Sequence, residues 1–129
     1  MVGSVIVGIN DLARAILFYD AVLEPLNLIR VEDNTDYVAY VSLTAPDAIE
    51  LCVTRSFDQQ QAHRGNGMKI AFAAQSRAIV DQFHAIGMRN GGGDEGAPGL
   101  RPPGGPVYYA YLRDSDGNKI CGFNDRDTA

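Results

Sequence analysis

Val5-Ile6-Val7-Gly8-Ile9-Asn10-Asp11-Leu12-Ala13-Arg14-Ala15-Ile16-Leu17-Phe18-Tyr19 decides the fold. Its first five residues are β-branched or small, which suits a pleated strand. Asn10-Asp11 then interrupts. From Leu12 the apolar positions Leu12, Ala15, Ile16, Tyr19, Val22 and Leu23 fall at helical spacing, predicting an amphipathic helix to about Leu23. Asp11 has the right chemistry for its N-cap, since a carboxylate accepts a backbone N–H that the first turn leaves unpaired. Pro25 stands just past the end. Three strands are expected next, at 28–32, 37–43 and 49–54, separated by the turn-forming runs Asp33-Asn34-Thr35-Asp36 and Thr44-Ala45-Pro46-Asp47.

The same order then starts again. Met68 to Ala74 reads as a strand. Ser76 caps a helix running to about Met88, with Ile79, Val80, Phe83 and Ile86 on one face. A weak strand near Gly92–Gly96 and clear ones at 107–113 and 119–123 follow, the last two joined by Asp114-Ser115-Asp116-Gly117-Asn118. Arg14-Ala15-Ile16 recurs as Arg77-Ala78-Ile79, an offset of about 63 residues, half the chain. The expectation is therefore one α+β domain, residues 1–129. It contains two pseudo-symmetric βαβββ modules, at 1–56 and 66–124. The stretch Gly91 to Pro106, dense in Gly and Pro, reads as an ordered loop stiffened by Pro98, Pro102, Pro103 and Pro106.

Composition narrows the function classes. The 129 residues are 46% hydrophobic and 21% charged, an ordinary globular mix. Sixteen Asp and Glu against eleven Lys and Arg give a net charge of −5, which disfavours a nucleic-acid or anionic-membrane partner. No apolar run is long enough to span a bilayer, and Met1-Val2-Gly3-Ser4 has no basic leader, so a cytoplasmic location is expected. Cys52 and Cys121 are far apart and belong to no Cys/His cluster, so free thiols are expected.

The strand ending in Gly8-Ile9-Asn10-Asp11-Leu12 and the following Arg14-Ala15-Ile16-Leu17-Phe18-Tyr19-Asp20 resemble the glyoxalase/bleomycin-resistance/dioxygenase group, the vicinal oxygen chelate superfamily. So do Lys69-Ile70-Ala71-Phe72-Ala73-Ala74, Gly96-Ala97-Pro98-Gly99 and Asp114-Ser115-Asp116-Gly117-Asn118-Lys119-Ile120. The resemblance implies a curved mixed sheet around a cleft and, commonly, a homodimer. It also implies four metal-ligand positions, one on the first and one on the last strand of each module. In this chain they fall on Ser4, Glu50, Lys69 and Cys121, of which only Glu50 keeps a usual ligand type.

An ammonium group at such a position opposes a divalent ion. Two unit charges about 4 Å apart repel by roughly 1 kcal/mol in water, and by more in a partly buried cleft. No metal and no other cofactor is therefore expected. Lys69 is read as a built-in cation paired with Glu50, or else as a solvated strand residue. Alternation places Ser4, Ile6, Gly8, Glu50, Cys52, Thr54, Lys69, Lys119, Cys121 and Phe123 toward the cleft. It leaves Tyr109 and Tyr111, or else Tyr108 and Leu112, for the neighbouring strand, and the first pair is preferred. Tyr37 or Tyr40 would add an aromatic wall. The candidate ligand-binding residues are Ser4, Ile6, Glu50, Cys52, Lys69, Tyr109, Tyr111 and Cys121, and no catalytic residue is assigned.

Other motifs are weaker. Gly91-Gly92-Gly93-Asp94-Glu95-Gly96 matches a dinucleotide-binding pattern but follows a helix and carries two carboxylates. Asp114 to Gly117 lacks the closing Glu of a calcium loop. His63 and His84 lack the spacing of a catalytic pair. Cys121 would need a lowered pKa, supplied by Lys69, to act as a nucleophile. Two readings remain: a small-molecule binding protein without a metal, or a metal-dependent lyase, isomerase or dioxygenase relative with a rebuilt site.

Overall fold

The carboxylate of Asp11 accepts the backbone N–H of Arg14 at 3.1 Å, and the first helix begins there, as its sequence position predicts. The computed structural model describes residues 3–126 apart from 57, 64 and 66. Helix α1 (Leu12–Leu23) buries Leu12, Ala15, Phe18, Tyr19, Val22 and Leu23. A 3-10 turn at Glu24–Leu26, with Pro25 near its start, ends at Asn27 in the left-handed conformation (φ 62°). That turn feeds β2 (Leu28–Asp33), followed by β3 (Tyr37–Ser42) and β4 (Ala45–Arg55). With β1 (Val5–Ile9) these make a sheet of order β1-β4-β3-β2, in which β1 runs parallel to β4 and the other pairs are antiparallel.

The second half repeats this strand for strand. β5 (Ile70–Ala73), α2 (Arg77–Arg89), β6 (Gly93–Leu100), β7 (Tyr108–Arg113) and β8 (Lys119–Asn124) give the order β5-β8-β7-β6, again with one parallel pair, β5 with β8. Ser76 caps α2 through its hydroxyl, which accepts the N–H of Ile79 at 3.2 Å.

Three boundaries differ from expectation. The Gly/Pro stretch is not a loop throughout, because Gly93–Leu100 pairs with β7 across two register shifts. β6 is an edge strand, so Pro98 costs no ladder on its outer side. β4 begins at Ala45, so Ala45-Pro46-Asp47 extend the strand instead of turning. β5 starts only at Ile70, which leaves Met68 and Lys69 just before the strand.

Side chains from both halves meet in one apolar core. Val7, Ile9, Phe18, Val38, Tyr40, Leu51 and Val53 pack with Phe83, Leu112 and Ile120. Fully burying a side chain of this size contributes about 1.5–3 kcal/mol. A polar latch joins the halves at one end. Asp114 Oδ1 accepts the N–H groups of Asp116 and Asn118, each at 2.9 Å, which shapes the turn. That turn reaches the first half through Asn118 Nδ2, which donates to Gly8 O at 2.9 Å, and Asp116 Oδ1, which accepts the Asn10 N–H at 3.0 Å. Tyr19 on α1 donates to Asp114 Oδ2 at 2.6 Å.

Candidate functional site

Alternation sorts each strand between the helices and an open face. In the first sheet Val7, Ile9, Leu51, Val53 and Val38 are buried in the core, while Ile6 is 65% exposed. Ile6 stands opposite Cys52 in register, and Gly8 opposite Thr54. Tyr40 points to the helix side: it is fully buried and its hydroxyl donates to Asp20 at 2.8 Å, so it adds no wall to the open face. Tyr37 pairs in register with Thr54 and donates to Glu32 at 3.0 Å.

In the second sheet Tyr108 turns toward α2, donating to Asp81 at 2.7 Å, and Leu112 and Ile120 enter the core. Tyr109 and Tyr111 take the other face. Register sets the rows there. Lys119 lies opposite Arg113, and Lys69 immediately precedes Ile70, the partner of Ile120. The next row is Ala71, Cys121 and Tyr111, and the one after is Ala73, Phe123 and Tyr109.

Three cations gather on the ring of Tyr111. Lys69 Nζ lies 5.0 Å from its centroid, Lys119 Nζ 5.3 Å, and the Arg101 guanidinium carbon 6.0 Å. Lys69 is also 6.0 Å from the Tyr109 ring. The two tyrosines stack at 5.5 Å and 16°, and Phe123 extends the aromatic surface at 6.1 Å from Tyr109. A cation over a ring face is attracted by its quadrupole, by about 0.5–1 kcal/mol at an exposed site, which draws these groups toward the ring without neutralising them. Arg113 is different, because Glu95 neutralises it at 2.9 Å. Among the described residues, Lys69, Lys119 and Arg101 form no ion pair; Arg101 is steadied by donating to Ala97 O at 2.7 Å.

The candidate residues divide into separate groups. Lys69, Tyr109, Tyr111 and Cys121 come together on the second sheet. Ile6 meets Lys69 in a cavity of about 200 Å³ at the seam between β1 and β5, where His63, Met68, Asn118 and Lys119 also line the wall. Glu50 lines an adjoining hollow of about 330 Å³ with Leu28, Ser42, Ala71 and Ala73, which shares Val5 and Ile70 with the first. The expected Lys69–Glu50 pairing does not form among the described residues; the ammonium turns to the tyrosines instead. Ser4 is exposed, one residue before β1. Cys52 is half-buried, and burial and Glu32 push its thiol pKa up.

Cys121 is fully buried, and burial raises its thiol pKa despite the opposing pull of Lys69 and Lys119. The lowered pKa that a nucleophile would need is therefore absent. The four positions that the resemblance marks for a metal do not fit one. They hold a hydroxyl, a carboxylate, an ammonium and a sealed thiol, and no three His, Cys, Asp or Glu side chains cluster to hold an ion among the described residues.

Arg101 and His63 carry no sequence signal: Arg101 lies in the stretch Gly91 to Pro106 expected to be a loop, and His63 in a polar connection without periodicity. Lys119 is placed on this face by its alternation with Cys121 and Phe123, although it is not among the candidate binding residues.

No protein-family model and no curated protein matches the chain. Among solved structures it is similar to a glyoxalase/bleomycin resistance protein from Albidiferax ferrireducens T118, with 41% identity, TM-score 0.84 and coverage of 96% of this chain and 98% of the other. A glyoxalase-related enzyme from Fulvimarina pelagi shares the fold at 20% identity and TM-score 0.74, over 96% and 87% of the two chains. A glyoxalase/bleomycin resistance protein/dioxygenase family enzyme from Burkholderia phytofirmans PsJN does so at 15% identity and TM-score 0.72, over 95% and 97%. No helix among the described residues is long and apolar enough to cross a membrane.

Proposed function

Because the chain belongs to the glyoxalase/bleomycin resistance protein/dioxygenase family, we propose that it binds a small molecule on the open face of its sheets without a metal ion. One observation carries this reading: at a position where the resemblance expects a metal ligand, Lys69 holds an ammonium group 5.0 Å from the Tyr111 ring centroid, beside the buried Cys121. Lys69 is exposed, and its positive charge at that position opposes a divalent ion. The open aromatic surface of Tyr109, Tyr111 and Phe123 supplies apolar contact for a guest.

Elemental analysis of the purified full chain, with thermal melting before and after chelation, tests the reading. The expected result is far less than one metal per chain and an unchanged melting temperature. A transition metal retained stoichiometrically through gel filtration, with melting lowered by chelator, overturns it in favour of a metal-dependent lyase, isomerase or dioxygenase. The proposal includes a homodimer, supported by the exposed apolar side chains Ile6, Ile29 and Val31 on the first sheet. It also places the protein in a reducing cytoplasm, supported by the free thiols of Cys52 and Cys121.

A further inference from the structure

We infer that the guest is a small organic anion with a flat unsaturated body. Its charged group sits among Lys69, Lys119 and Arg101, and its body lies along Tyr109 and Phe123. This deepens, and rests on, the reading of the open face as a small-molecule site.

Charge distribution is the first argument. The chain has five more carboxylates than cations, yet three cations converge on one ring and none is ion-paired among the described residues. Glu95 is taken by Arg113 at 2.9 Å, and Glu50, which shares a hollow with Ala71 and Ala73, forms no ion pair with these cations among the described residues. Register is the second. Lys119 faces Arg113, which Glu95 neutralises, across β7 and β8, and Lys69 precedes the strand that flanks β8 on its other side, so Lys69 and Lys119 bring two ammonium groups without ion pairs among the described residues to one row. Like charges opposed across a sheet destabilise it. An anion seated in that row relieves the repulsion; a cationic guest worsens it.

The donors suit such a group. Each lysine carries three N–H bonds and each ring engages only the ammonium's charge, so hydrogens remain for a carboxylate. Arg101 is anchored by one bond to Ala97 O, which leaves most of its five N–H groups available. The rows beyond the cations supply the shelf, first Tyr111 and then Tyr109 with Phe123. A planar body stacked on these rings would therefore keep its charged end at Lys69 and Lys119.

Titrating the full chain with 2-naphthoate, its neutral isostere 2-naphthamide and cyclohexanecarboxylate, followed by amide chemical shifts, tests the inference. Naphthoate is expected to move Ile70, Tyr111 and Cys121 and to bind roughly tenfold more tightly than either analogue. Its affinity should fall as salt rises. The K69M/K119M double variant should bind naphthoate roughly tenfold more weakly and the amide unchanged. K69R/K119R should retain binding, which separates lost charge from lost fold. Equal affinity for acid and amide at these residues overturns the anion assignment and leaves small-molecule binding standing. Equal affinity for the two acids overturns the flat body. No shift at these residues with any of the three overturns this inference and the reading beneath it.

Discussion

Tyr19 carries the hydroxyl on which much of the interior polar order depends. Burial, then the adjacent Asp114 carboxylate, pushes its pKa well above the usual phenol value, so it stays a donor throughout the physiological range. Tyr19→Phe deletes the 2.6 Å bond and leaves Asp114 Oδ2 with the Asn118 amide as its donor at 2.9 Å; a loss of about 1–2 kcal/mol in urea denaturation is expected. His84 and Asp94 show the opposite setting. Their exposed 2.9 Å contact, followed by the Gly96 N–H, holds the Asp94 carboxyl below its ordinary pKa. A carboxylate lowered on folding stabilises the protein above its unfolded pKa, and that contribution is lost as pH falls through the lowered value. Asp94→Asn should therefore flatten the acid limb of stability measured across pH 2–6. The cysteines give a chemical check. Both thiols are raised, but only Cys52 is accessible, so iodoacetamide should label Cys52 first and Cys121 only on unfolding, as read by peptide mass spectrometry.

Helix ends are where single residues control whole elements. Ser76→Ala removes the hydroxyl that accepts the Ile79 N–H and should cost about 1 kcal/mol by the same denaturation measurement. At the other end of α2, the Gly92 N–H donates to Gly87 O at 2.9 Å. A Cβ on Gly92 would come within 2.8 Å of that same oxygen and 2.9 Å of Phe18. Gly92→Ala must move backbone, and a loss of about 1–3 kcal/mol is expected. The Asp11 and Ser76 N-caps and the α1, β1 and β8 cores are legible because local chemistry and periodicity agree. β6 is not. Glycine and proline mark turns when read alone, and only pairing with β7 on one side, with the outer edge free, makes Gly93–Leu100 a strand. Lys69 was read as strand and stands just before it, because residues 68–69 share the alternation but lie outside the ladder.

Across the molecule, the face assignment of Lys69, Tyr109 and Tyr111 followed from a two-residue period, but their companions did not. Arg101 reaches Tyr111 from a turn beyond β6, and His63 reaches the seam from the connection between modules. Both are products of tertiary folding that no local pattern encodes. The shared core gives a further expectation. Val7 and Phe18 pack with Phe83, Leu112 and Ile120, so residues 1–56 alone would expose half of that contact. A 1–56 fragment should show little folded structure by circular dichroism, while the full chain melts in one transition.

The Asp114–Asn118 latch changes what the covalent tie between the halves is for. Gly8, Asn10 and Tyr19 are gripped from the far end of the sequence, and the two helices share a hydrophobic interior. Peptide continuity at Gln59–Gln61 is therefore a kinetic convenience for finding the partner half, and not the bond that keeps it. A chain nicked there by a protease should yield two pieces that co-elute, separate only in denaturant, and reassociate by complementation when it is diluted away.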